Sequence, residues 1–263
     1  MPQGELNGWR YAYTDEGSGP AVLLLHGLLM DRSMWDGQID ELKDHYRLVA
    51  IDMPGHGESA GVELGIDFWQ YADMVAAICD QLGIGSAYWC GQSTGGWTSI
   101  RAAIAHPDRA MGLVLIDTQA HEEDRDKLAQ YEAFLQVALA DGVSEDLASI
   151  LLTLLFSGTY AAKPESDAWR KKLMSADIEG EHAIVRAVFD REDVHDRLGE
   201  INCPAVVIHG LEDIAIEPER GEELARALGA PYVPIEAAGH ASPVEQPTPV
   251  TAAIREFLDS QKT

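Results

Sequence analysis

The sequence predicts an α/β fold: a mostly parallel central sheet flanked by helices, with a helical cap inserted past its middle. Three observations predict it. Short apolar runs of strand length alternate with helix-like stretches up to about Thr118. From about Gln119 to Gly199 that rhythm stops, and apolar residues recur only at helical spacing. The alternation then resumes at Pro204. Residues 1–118 and 200–263 are therefore assigned to the core, and 119–199 to the cap.

Taken in order, residues 5–13 read as a hairpin, because Asn7-Gly8 is a favoured two-residue turn. The apolar run 21–25 ends in His26-Gly27-Leu28-Leu29. A second run, 47–51, leads into Asp52-Met53-Pro54-Gly55-His56-Gly57-Glu58-Ser59, a Pro/Gly-rich turn read as scaffold. Residues 86–90 form a buried strand, and 98–106 a helix. Between them lies Gly91-Gln92-Ser93-Thr94-Gly95-Gly96. The run 113–116 ends at Asp117. Four helical patterns follow in the cap, at 128–139, 147–156, 169–174 and 181–188. The strand 205–209 then runs into Gly210-Leu211-Glu212-Asp213. A helix over 217–228 and a strand over 232–235 precede a loop carrying Gly239-His240.

The run around Ser93 fits G-x-S-x-G, a sharp turn that lifts a serine out of a strand and starts a helix. Glycines on both sides leave room for the backbone. A serine hydroxyl is a poor nucleophile at neutral pH, so it needs a base, and the base needs an orienting acid. His240 and Asp213 supply these in the order Ser, Asp, His, and both follow strand ends, where a parallel sheet gathers active groups. Asp117 is the alternative acid and His56 the alternative base; each also reads as a structural residue. Backbone N–H groups of Leu28 and Thr94 are the candidate oxyanion donors. Leu29 and Trp97 adjoin those segments and are candidate pocket walls, together with Leu151, Leu155, Phe156 and Trp169 from the cap.

Taken together, HG, D-x-P-G-H-G-x-S, G-x-S-x-G-G, G-x-x-D and G-H resemble the α/β-hydrolase family over nearly the whole chain. Residues 28–36 and 193–198 are similar to the 3-oxoadipate enol-lactonase group and its esterase relatives. Those enol-lactonases often carry Asn-Ser where this chain has His26-Gly27. The resemblance implies a serine hydrolase cleaving carboxylic esters or lactones through an acyl-enzyme. Carbon–carbon bond hydrolysis, perhydrolysis or haloperoxidation on the same triad, and a receptor-like binding module, are the alternatives. Ser at 93 departs from the Asp of dehalogenases and epoxide hydrolases. Leu28-Leu29-Met30 departs from the Gly-rich stretch of carbon–carbon hydrolases, and Thr94 from the Met of haloperoxidase relatives.

Composition narrows the rest. The 263 residues carry a net charge of −25 and are 46% apolar. That acidity argues against nucleic acid and against anionic membranes as partners. No span of membrane length occurs, and the start lacks a basic segment followed by an apolar one, so a cytoplasmic enzyme is expected. Cys79, Cys90 and Cys203 read as small core filler in a reducing compartment. Neither zinc-site spacing nor a phosphate-binding loop is present, and no metal or cofactor is expected. The expected partner is a small ester or lactone; whether the chain forms a homodimer stays open.

Overall fold

The computed structural model describes residues 2–262. Its centre is an eight-stranded sheet: β1 (Gln3–Leu6), β2 (Trp9–Gly17), β3 (Ala21–Leu25), β4 (Arg47–Ile51), β5 (Ala87–Gln92), β6 (Ala110–Ile116), β7 (Ala205–Gly210) and β8 (Tyr232–Ile235). The spatial order is β1-β2-β4-β3-β5-β6-β7-β8. β1 and β2 form the antiparallel edge, and every pairing from β4 to β8 is parallel. At the hairpin, Asn7 and Gly8 both take positive φ, 50° and 87°, as a primed turn requires.

Helices α1 (Asp36–Leu42), α2 (Phe68–Gln81) and α3 (Thr94–Ala105) make the three connections from β3 through β4 and β5 to β6. α9 (Pro218–Leu228) joins β7 to β8, and α10 (Ser242–Glu245) and α11 (Pro247–Ser260) close the chain. The all-apolar strand β3 shows why both sheet faces are covered. Leu23 and Leu25 enter one core with Phe68, Tyr71 and Ile100, while Val22 and Leu24 enter the other with Ile39, Leu42 and Ile254.

Between β6 and β7 the chain makes only helices: α4 (Arg125–Asp141), α5 (Glu145–Leu155), α6 (Gly158–Ala161), α7 (Ser166–Met174) and α8 (Ile178–Phe189). α8 docks on the Pro/Gly turn through a close backbone approach. A Cβ at Gly55, whose φ is +80°, would stand 2.2 Å from the Gly180 carbonyl oxygen. Among the described residues no helix is long and apolar enough to cross a membrane. Cys79, Cys90 and Cys203 are free thiols, the first two buried.

α3 begins at Thr94, not near residue 98 as the sequence suggests. The paired glycines, a turn signal in the sequence, are helical. A Cβ on Gly95 would meet the Leu25 carbonyl oxygen at 2.1 Å, and one on Gly96 the Thr118 side chain at 2.6 Å. The first turn of the helix packs against the Leu25 backbone and the Thr118 side chain at distances that leave no room for a Cβ.

Candidate active site

Order reversal in the sheet falls between β3 and β5, and the loops after these strands leave a crevice at their C-terminal ends. Ser93 emerges there. Its backbone is held at φ 51° and ψ −114°, a sparsely populated conformation for a side-chain-bearing residue. Neighbouring strands fix it: Ser93 N–H donates to Ile116 O at 2.9 Å, and Thr118 Oγ1 donates to Ser93 O at 2.9 Å. The flanking glycines are required by contact, since a Cβ on Gly91 would lie 2.2 Å from the Gly95 carbonyl.

His240 Nε2 is 2.9 Å from Ser93 Oγ, and His240 Nδ1 is 2.8 Å from Asp213 Oδ2. With Nδ1–H donating to the carboxylate, Nε2 is left as the acceptor facing the serine hydroxyl. All three side chains are buried. Burial opposes ionisation of Asp213, but the His240 charge and the hydrogen bonds from His209 and His240 outweigh it and hold the carboxyl at about 2. Burial likewise opposes protonation of His240, and the Asp213 charge and hydrogen bond overcome it, raising the imidazole above its ordinary value. The other oxygen of Asp213, Oδ1, accepts from Ala215 N–H and Ile216 N–H at 2.9 and 3.0 Å, which pins the turn that presents it.

Asp117 stands elsewhere. Its Oδ1 accepts from Gly210 N–H at 2.8 Å, and Oδ2 accepts from Ser242 N–H and Oγ–H at 3.1 and 2.7 Å. It ties the ends of β6 and β7 to the loop carrying His240, and burial pushes its carboxyl up to about 7. His56 is also committed. Its Nε2 accepts from Leu29 N–H at 3.1 Å while Nδ1 meets Pro54 O at 3.0 Å. His26 Nε2 accepts from Met53 N–H at 2.8 Å, joining the loop after β3 to the Pro/Gly turn.

Leu28, Thr94 and Ser93 line one cavity, and among the described residues no protein group accepts the N–H of Leu28 or Thr94. The cavity, of about 150 Å³, is bounded mainly by apolar side chains from α4, α5 and α8. Leu29, Trp97, Leu151 and Leu155 take part in its wall; Phe156 and Trp169 do not. Phe156 follows the last residue of α5 with extended backbone, φ −131° and ψ 154°, so it leaves the helix face that fronts the cavity. It stacks on Tyr160 with centroids 4.9 Å apart and lies 6.2 Å from the Trp169 ring. Trp169 packs with it inside the cap and carries the Lys172 ammonium 4.4 Å from its ring centroid.

Polar residues the sequence reading did not single out also reach the cavity: Glu123, Tyr131 and Glu181. Glu123 is answered by Arg191 at 3.2 Å, and that guanidinium lies 3.9 Å above the Trp97 ring. Burial pushes the Tyr131 phenol up to about 12. No lysine or arginine lines the cavity among the described residues. His209, which the sequence marks only as part of the strand 205–209, lies 3.2 Å from Asp213 Oδ2.

Fold and site define a hydrolase of the α/β class, and the chain belongs to the alpha/beta hydrolase fold family, whose profile matches residues 20–247. It is 27% identical over 244 residues to 3-oxoadipate enol-lactonase 1 of Acinetobacter baylyi, covering 92% of this chain and 90% of the relative. It is 29% identical over 205 residues to a pimeloyl-[acyl-carrier protein] methyl ester esterase of Nitrosomonas europaea, covering 75% and 79%. Among solved structures, a thermophilic esterase from Thermogutta terrifontis superposes with a TM-score of 0.91 at 33% identity, covering 99% of this chain and 97% of the other. The enol-lactonase from Burkholderia xenovorans gives 0.91 at 29% identity, covering 98% and 100%.

Proposed function

We propose that this chain is a serine hydrolase that cleaves uncharged carboxylic esters or lactones through an acyl-enzyme. The observation that carries this reading is the unbroken hydrogen-bonded chain Asp213–His240–Ser93, which opens into an apolar cavity. Ser93 Oγ attacks the carbonyl carbon as His240 Nε2 takes its proton. The Leu28 and Thr94 N–H groups receive the oxyanion, where a fixed donor contributes on the order of 10²–10³-fold in rate. His240 then protonates the leaving alkoxide. Water attacks the acyl-enzyme with the same histidine as base, and the acid leaves. In a lactone the alcohol stays tethered until that last step.

The apolar wall supports an apolar acyl or alcohol part. Several relatives are named for substrates derived from dicarboxylic acids, 3-oxoadipate and succinate among them. In this cavity a carboxylate would find two carboxyls and, among the described residues, no free cation, because Arg191 is held by Glu123. A screen over neutral esters of graded acyl length and several lactones tests the reading, with Ser93→Ala as control and peroxide-dependent bromination as the competing activity. Ser93-dependent ester or lactone hydrolysis is expected. Bromination without ester turnover would refute it.

A further inference from the structure

Glu181 is out of place in the cavity wall. It heads an apolar stripe on α8: Ile184, Val185 and Val188 follow it three, four and seven residues on, so all four share one helix face. That face is turned inward, and Glu181 is 5% exposed. Its Oε2 is buried with no hydrogen-bond partner among the described residues. A buried carboxyl oxygen left without a donor carries a desolvation cost that nothing offsets.

Its surroundings do not answer it. Among the described residues, the basic nitrogen within reach is His56 Nε2 at 4.0 Å, and that atom already accepts from Leu29 N–H. A nitrogen that is accepting has no proton to give. Burial, aided by the charge of Asp177 and opposed by His56, pushes the Glu181 carboxyl above its ordinary value. Glu123 makes the contrast, since Arg191 and Asp124 N–H satisfy it. Glu181 is also fixed in position. Gly180, the residue before it, is pressed against Gly55 and Gly61, where a Cβ would stand 2.2 and 2.8 Å from Gly180. The start of α8 therefore cannot carry Glu181 outward without breaking the docking of the cap on the core.

Trp97, a residue of the same cavity wall, carries a second unpartnered polar atom. Trp97 Nε1 is buried with no acceptor. One orphan is an acceptor site and the other a donor. A hydroxyl or an amide offers both kinds of bond, whereas an ammonium or an alkyl chain does not.

We propose that Glu181 is a specificity residue that receives a neutral hydrogen-bond donor, a hydroxyl or an amide N–H, on an otherwise apolar substrate. This rests on the serine hydrolase reading and narrows its substrate class. That donor would sit on the side of the cavity where Glu181 Oε2 lies 4.0 Å from His56 Nε2, the atom that accepts from Leu29 N–H.

The test compares kcat/KM for plain hexanoate esters with hexanoate esters carrying one hydroxyl at different positions on the acyl chain or on the alcohol. Wild type should prefer one hydroxylated isomer over the plain ester. Glu181→Met should reverse that preference, changing the ratio by about tenfold, the scale of one buried hydrogen bond. Glu181→Gln, which keeps an oxygen at the same reach, should retain a ratio above one. A merely structural role would lower both substrates by the same factor in Glu181→Met and leave the ratio alone. Ser93-dependent hydrolysis with the plain ester preferred over every hydroxylated isomer in wild type overturns the inference, needs no variant, and leaves the proposed function standing. Hydrolysis of none of these esters, together with none of the lactones of the screen, removes both.

Discussion

Asp213 Oδ2 lies between two histidines, 2.8 Å from His240 Nδ1 and 3.2 Å from His209 Nε2. His209 Nε2 also lies 2.9 Å from Ile216 O, within the same turn whose N–H groups bind the other oxygen of Asp213. The carboxylate is thus held by its own turn and by the strand before it, and its free edge is aimed at His240.

Asp213→Asn should lower kcat far more than Asp117→Asn. The amide removes the charge that steadies the His240 imidazolium and the acceptor that fixes its tautomer, a loss of about 10⁴-fold in well-studied triads. Asp117 accepts only from Gly210 and Ser242, so its amide should cost stability first. Kinetic constants and melting temperatures of the two variants decide this, and a larger kcat loss in Asp117→Asn would mean that the acid is misassigned.

The acid limb of kcat/KM should lie above pH 6.5, the ordinary value for imidazole, because Asp213 raises His240. His240 must be neutral to take the serine proton, so activity rises with pH as the ring deprotonates. Removing the Asp213 charge should move the limb to lower pH. A pH–rate profile of wild type beside residual Asp213→Asn activity measures the shift, and an unmoved or rising limb would contradict it.

Leu155 and Phe156 should behave differently although they are adjacent. Leu155→Ala enlarges the cavity and should shift preference along an acetate, butyrate and octanoate series by about 1–3 kcal/mol per methylene-sized contact. Phe156→Ala opens a void inside the cap instead. It should cost about 3–5 kcal/mol of stability with little change in chain preference. Unfolding curves and kcat/KM across the series separate the two.

An ester with a terminal carboxylate should be hydrolysed at least about 10²-fold less efficiently than its neutral amide or methyl ester. An unpaired charge buried beside Glu123 and Glu181 costs several kcal/mol. Equal kcat/KM for the two would show that a cation reaches the site.

The sheet and the Ser–Asp–His arrangement were legible because each imposes residue types at fixed places. Strands buried on both faces must be almost continuously apolar, as 21–25 and 205–208 are. The turn at Ser93 must have glycines where a Cβ would strike backbone. The pocket wall was less legible because it depends on where a helix ends. Leu155 is the last residue of α5 and Phe156 has left it, a boundary no local signal marks. Glu181 was readable in part, since a carboxyl in phase with Ile184, Val185 and Val188 must turn inward with them. Glu123 carried no such pattern, because its partner Arg191 is 68 residues away in the chain.

A nucleophilic Ser93 must carry the acyl group during turnover, which intact mass can detect. Wild type and Ser93→Ala are assayed on a short neutral ester, and each is then examined by intact mass after a brief reaction. The wild-type chain should gain the mass of the acyl group, and the folded variant should gain nothing and lose at least about 10³-fold in kcat. A folded Ser93→Ala protein within tenfold of wild-type activity would contradict the account.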